Sequence, residues 1–193
     1  MKHKDDLIAQ AALAQFAKFG LRKTTMQDVA DAAGVSRQTL YNRVPNKDAL
    51  LRLVARYYFT DNINRCREAL KACPDLPSSW DVLISHFVVE VWHTVNAMPE
   101  ADAFEASAND VIAVEVADAI TAKTALIGQM LATHNAVSQN PGQTPQDIGQ
   151  FFCATAVGIK TSAKDEASLN ALASTLKQTM LSLTTLDDYR HAS

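Results

Sequence analysis

Residues 24–47, TTMQDVADAAGVSRQTLYNRVPNK, restrict the fold more than any other stretch of this 193-residue chain. They read as two short helices around a tight turn. Thr25 is placed to cap the first, its hydroxyl oxygen accepting one of the amide hydrogens that Gln27 and Asp28 leave unpaired. Val29, Ala30 and Ala33 fall at i, i+1 and i+4, which gives a helix of about eight residues one apolar stripe. Gly34 stops that helix, because a residue without Cβ enters the left-handed region at little cost. Val35 plugs the turn. Ser36 caps the second helix, on which Leu40 and Val44 stack along one side.

The other side of the second helix carries chemistry. Arg37 and Tyr41 are four apart, as are Gln38 and Asn42, with Thr39 and Arg43 at the flanks. Guanidinium groups suit guanine or phosphate, carboxamides suit adenine, and a threonine methyl suits thymine. A helix, a glycine-containing turn and a polar second helix make a helix-turn-helix whose second helix can enter a major groove. A helical hairpin with a merely solvated face shares the periodicity. The two caps, the glycine stop and the lack of any acid in residues 35–47 favour the groove reader.

The longer run GLRKTTMQDVADAAGVSRQTLYNRVPNKDALL resembles the N-terminal domain of TetR-type one-component transcriptional regulators. Gly-x-x-x-Thr-Thr, a short helix, Ala-Gly-Val-Ser, Thr-Leu-Tyr and Lys-x-x-Leu follow one another at that family's spacing. The likeness covers the first 55 residues or so. One position departs from it: Val44 stands where the family usually has an aromatic residue, which predicts looser packing at the end of the recognition helix. The resemblance implies that Thr25, Tyr41 and Lys47 hold the DNA backbone while Arg37, Gln38, Thr39 and Asn42 face bases.

Charge agrees with a nucleic-acid end. The overall charge of −3 does not suggest DNA, but residues 1–56 hold ten Lys/Arg against five Asp/Glu, and the remainder holds eight against sixteen. A basic module on an acidic body attracts phosphate locally. Cys66, Cys73 and Cys153 match no metal or redox spacing and, with no signal peptide at the start, read as reduced thiols of a cytoplasmic protein. No apolar run reaches the ~18 residues a membrane span requires, and nothing calls for a cofactor.

Along the chain, the spacing predicts an all-α protein: a three-helix DNA-binding domain over 1–46, then a helical effector-binding and dimerisation domain over 47–193. Helix 1 runs from Asp5 to Phe19, with Phe16 and Phe19 as the core under the reading head; Gly20 closes it. Lys2, His3 and Lys4 are either a solvated tail or a phosphate contact. Pro45 stops the recognition helix, and Asn46 caps a lever helix over Lys47–Lys71, with Lys47 at its positive end. A loop over Pro74–Ser79 precedes helices at Ser79–Met98, Ala103–Asn109, Val111–Ala136, Pro145–Ser162 and Glu166–Leu186. The third of these, apolar at Val114, Ala117, Ile120, Ala125, Ile127 and Leu131, reads as buried on much of its surface.

Bulky Phe151, Phe152, Val157 and Ile159 alternate with small Gly149, Ala154, Ala156 and Gly158, and Leu169, Leu172, Leu176, Met180 and Leu183 recur at helical steps. Paired with symmetry mates, the last two helices make a four-helix bundle, as the resemblance also implies; an intramolecular core is the alternative. A two-fold protein calls for a palindromic operator with half-sites one turn, ~34 Å, apart. The middle helices then enclose an effector pocket, with Phe87, Val91, Trp92, Val95, Met98, Phe104, Ile120, Met130, His134 and Phe151 as lining candidates. His86, Glu90 and His93 share a face as polar anchors, packing groups or, least of the three, metal ligands.

These features predict a ligand-responsive repressor that binds its operator as a homodimer. Two rivals stand beside it: a constitutive DNA-binding architectural protein, and an enzyme with a basic docking arm. The second has no HExxH, GxSxG, phosphate-binding glycine loop or cysteine pair to rest on.

Overall fold

The computed structural model describes residues 4–99, 110–138 and 140–186. It is helical apart from one ladder of two three-residue strands. The chain forms two compact units, Met1–Asp61 with His93–Ala119, and Asn62–Trp92 with Ile120–Ser193. Lys2, His3 and the helix expected at Ala103–Asn109 lie outside the described residues.

In the first unit, α1 (Lys4–Phe19), α2 (Met26–Ala32) and α3 (Arg37–Arg43) surround the start of α4 (Lys47–Leu70). Ile8, Ala9, Ala12 and Phe16 on α1 close over Val29, Ala30, Leu40, Leu50 and Val54, all buried. Each such aliphatic side chain contributes about 1.5–3 kcal/mol by leaving water. Val44 belongs to this core and is 4% exposed. Phe19, expected inside, is 45% exposed with the Lys18 ammonium 4.9 Å from its ring centroid. It is the last residue of α1, and Gly20 turns the chain away from it. Gly20 sits at φ +84°, and a Cβ there would stand 3.3 Å from the Pro99 carbonyl oxygen. The positive φ is what calls for glycine, and the close approach adds to it.

The second unit holds α5 (Leu76–Ile84), a π-helical turn (Ser85–Val89), α8 (Pro145–Ser162) and α9 (Glu166–Leu183), while α6 (Glu90–Asn96) and α7 (Ala113–Thr133) each have residues in both units. α5 starts at Leu76, three residues before the sequence expectation. Asp75 caps it through Ser78, and Pro77 lies in the first turn, where a missing amide hydrogen costs nothing. Trp80 stacks on Phe152 with centroids 5.6 Å apart, and Leu83, Ile127, Leu131, Leu169 and Met180 are also buried. α7 is less enclosed than expected: Val114 is 68% exposed, and Ala117 and Ala125 also face outward.

After α7, Asn135 at φ +49° turns the chain into β1 (Ala136–Ser138), which pairs antiparallel with β2 (Thr184–Leu186). The final helix therefore ends at Leu183 rather than Leu186. Thr184 and Thr185 are β-branched and lower in helix propensity, and their backbone bonds are made across the ladder instead.

Candidate nucleic-acid interface

Local chemistry sets the reading head. Thr25 Oγ1 accepts the Asp28 amide hydrogen at 3.2 Å, and the Asp28 carboxylate accepts from the Thr25 amide at 2.8 Å, a reciprocal cap on α2. These bonds hold the Asp28 carboxyl below its usual range. Gly34, at φ +66°, ends α2 as its spacing predicts. Ser36 Oγ accepts the Thr39 amide hydrogen at 3.1 Å and caps α3. Asn46 Oδ1 accepts from the Ala49 amide at 2.8 Å and caps α4.

With Leu40 and Val44 turned inward, α3 presents Arg37, Gln38, Tyr41, Asn42 and Arg43 to solvent, with Thr39 half-buried. The Arg37 guanidinium lies 5.4 Å from the Tyr41 ring centroid, a contact that limits its rotamers before any partner arrives. Arg43 pairs with Asp5 on α1 and fixes the far end of α3 against the first helix. Thr25 is exposed at the start of α2. Lys47 is half-buried, its Nζ donating to the carbonyls of Thr24 at 2.8 Å and Arg22 at 3.3 Å, and burial lowers its pKa. It braces the loop that carries Thr25, a role the sequence reading missed.

Beside this face lies an open cleft of about 680 Å³ lined by Lys4, Asp5, Thr39, Asn42, Arg43, Arg52 and Arg56 over an apolar floor of Val44, Ala49 and Leu53. Arg56 reaches toward buried Glu115 at 3.8 Å, and Arg52 donates to the Val111 carbonyl at 3.5 Å. Cations thus border the recognition helix on the α1 and α4 side. Such an edge is suited to phosphate contacts, which position a protein without reading sequence.

The remaining site candidates fare unevenly. Phe87, Val91, Trp92, Ile120, Met130 and His134 belong to the second unit, Val95 and Met98 to the first, and Phe104 lies outside the described residues. Phe87, Val91 and Met130 are buried; Trp92 Nε1 donates to the Ala163 carbonyl at 3.2 Å, and His134 Nε2 lies 2.8 Å from Ser79 Oγ. Of the residues assigned to a dimer face, Phe152, Ala156, Ile159, Leu169, Leu176 and Met180 are all buried inside the protomer. Helical periodicity marks an apolar stripe but not what covers it, and here α5 and the π-helical turn cover it. Outward on α8 and α9 are Phe151, Ala154, Val157, Gly158 and Leu172, with Leu183 half-buried. Lys123, the only basic residue of α7, was also missed; a lone cation in an otherwise apolar helix was the available signal.

Residues 8–54 match the family described as "Bacterial regulatory proteins, tetR family". Among curated relatives, the HTH-type transcriptional repressor KstR2 of Rhodococcus jostii is 28% identical over 97 residues, 49% of this chain and 48% of that protein. The probable acrEF/envCD operon repressor of Escherichia coli is 46% identical over 50 residues, 26% of this chain and 22% of that one. The chain therefore spans half or less of the length of these curated relatives. In fold, it is similar to a Rhodococcus transcriptional regulator with a TM-score of 0.65 at 17% identity, covering 92% of this chain and 94% of the other. The regulator FadR from Bacillus subtilis, solved with stearoyl-CoA, gives a TM-score of 0.60 at 16% identity, covering 91% and 97%. These relatives are regulators of transcription, not enzymes.

Proposed function

We propose that this chain, which belongs to the tetR family of bacterial regulatory proteins through its N-terminal domain, is a repressor that binds a palindromic operator as a homodimer and is released by a small molecule. The observation that carries the reading is the outward face of α3, where Arg37, Gln38, Tyr41 and Asn42 stand on a helix pinned by a cap at one end and an ion pair at the other. Arg37, Gln38, Thr39 and Asn42 read base edges, and Thr25, Tyr41 and Lys47 hold phosphates. The effector enters the second unit among the helices that carry Phe87, Val91, Trp92 and Met130, and favours a state with a different spacing of the two reading heads. Its differential affinity for the two states is what releases DNA. That a FadR of similar fold holds stearoyl-CoA supports a small-molecule effector for this chain.

The test is selection of bound duplexes from a random pool at fixed salt, followed by release of the winner with a metabolite panel. A palindrome with half-sites one turn apart is expected, released by at least one compound. Absence of any preferred duplex sinks the reading, and a preferred duplex that no compound releases reduces it to constitutive DNA binding.

A further inference from the structure

The cleft beside the recognition helix lies within the first unit and is lined from three helices. Lys4 on α1, Arg43 on α3, and Arg52 and Arg56 on α4 bring four cations to it, and Asp5 is the one acid among its described lining residues. Asp5 is already paired, with Arg43. Lys4 and Arg56 are exposed. Arg56 Nε lies 3.8 Å from Glu115 Oε1, on a carboxylate that is 6% exposed and whose Oε2 has no hydrogen-bond partner. Arg52, half-buried, donates one long bond of 3.5 Å from Nη1 to the Val111 carbonyl. Both guanidiniums are thus steadied by oxygens of the protein itself, and a fork of five N–H groups held in this way keeps donors for another acceptor.

Two features set this cleft apart from an edge that merely touches DNA phosphates. Its volume of about 680 Å³ falls in the range of small-molecule sites, roughly 300–1,000 Å³. Its floor of Val44, Ala49 and Leu53 is apolar, whereas a phosphate strand is held by cations and hydrogen-bond donors. On the α3 side, Thr39 and Asn42 add a hydroxyl and a carboxamide. A carboxamide pairs with the edge of a purine, and arginine forks suit phosphoryl oxygens. A flat ring packs well on aliphatic groups.

We propose that this cleft binds a nucleoside polyphosphate. The phosphates lie among Lys4, Arg52 and Arg56, the base lies on Val44, Ala49 and Leu53, and the Asn42 carboxamide takes the base edge. Thr39 and Asn42 are also the residues assigned above to operator bases, so nucleotide and duplex exclude one another. Release of DNA then has a second input that bypasses the second unit. The exclusion rests on the operator reading above; the binding of nucleotide does not.

Calorimetric titration of the full chain, without DNA and at fixed ionic strength, tests the site with adenosine triphosphate (ATP), inorganic triphosphate and adenosine. ATP is expected to bind saturably and about tenfold tighter than triphosphate, with adenosine weaker than both. Lys4→Gln combined with Arg56→Gln is expected to weaken ATP about tenfold or more. Lys18→Gln combined with Lys23→Gln, neither of which lines the cleft, is expected to leave it unchanged. If the cleft variant does not fold, amide exchange of the unaltered chain decides: ATP is expected to slow exchange in α3 and residues 47–56, and not in α8 or α9. No saturable binding, equal affinity for ATP and triphosphate, or equal losses in the two double variants overturns the proposal. A cleft variant that loses duplex affinity with its ATP affinity intact assigns the cleft to the DNA backbone and overturns it too. Titrating ATP against a labelled duplex from the random-pool selection separates the two readings. Duplex affinity is expected to fall in proportion to ATP concentration, and the cleft variant to resist. ATP binding that leaves duplex affinity untouched overturns the exclusion; ATP binding by a chain that prefers no duplex upholds the site and sinks the operator reading.

Discussion

A Cβ at Gly149 would stand 2.9 Å from Thr124 Cγ2 and 3.1 Å from that residue's Cα and carbonyl oxygen. Two helices, α7 and α8, touch there with no room for a methyl group. Gly149→Ala gains about 1 kcal/mol in helix propensity but overpacks a site whose nearest atoms include backbone, at a cost of about 1–3 kcal/mol. Net destabilisation of up to about 2 kcal/mol is expected, read as a lower urea midpoint at unchanged slope. The reading head offers a second contrast between residues. Gln38 is exposed on α3, whereas the Lys47 ammonium is held in place by the carbonyls of Arg22 and Thr24. Gln38→Ala is expected to relax choice at one base pair, a discrimination worth about 1–3 kcal/mol. Lys47→Ala is expected to weaken binding to every sequence alike, with a shallower salt dependence. Equal losses for both variants across a panel of mutated operators would refute this division of labour.

Four of the described helices, α2, α5, α8 and α9, start at caps that involve a carboxylate. Asp28 and Asp147 complete reciprocal caps with Thr25 and Thr144, and Asp75 and Asp165 cap α5 and α9 through Ser78 and Ser168. Backbone and side-chain hydrogen bonds hold all four carboxyls below the usual aspartate range. A depressed folded-state pKa means that the stabilisation is complete above the unfolded value of about 3.9 and is lost as pH falls through the folded one. The urea midpoint is therefore expected to hold down to about pH 4.5 and then fall. Replacing Asp75 and Asp165 with serine, which caps without titrating near that pH, should flatten the fall. Where the sequence reading took a local pairing of residue types, the starts of α2, α3, α4 and α8 fall where Thr25, Ser36, Asn46 and Pro145 predict, whereas the Asp75 cap was not read and the start of α5 was expected at Ser79. Features that depend on distant chain were not legible. The end of α9 is decided by pairing with residues 136–138, and the exposure of Phe19 by where α1 runs out. The π-helical turn sits inside a run, rich in apolar residues but interrupted by His86, Glu90 and His93, that a regular helix would explain equally well.

The same limit bears on the proposed dimer. Phe152, Leu169, Leu176 and Met180 are within the protomer, so substitution there is a folding lesion, whereas Phe151, Val157 and Leu172 are 45%, 43% and 36% exposed on the last two helices. Gly158 lies among them with open space where a Cβ would be, which lets a second helix approach closely. The dimer proposed above therefore places its seam on the outer face of α8 and α9. Val157→Glu combined with Leu172→Glu is expected to yield a folded monomer by sedimentation, with helix content by circular dichroism unchanged; Leu176→Glu is expected to unfold the second unit instead. Two linked reading heads gain a factor of about 10²–10⁴ from effective concentration, so the folded monomer should lose affinity for the palindrome on that scale. It should also contact half as many phosphates, which halves the slope of log affinity against log salt. A double-glutamate variant that still sediments as a dimer moves the seam elsewhere. One that is monomeric yet keeps full affinity and full salt slope shows that a single head suffices.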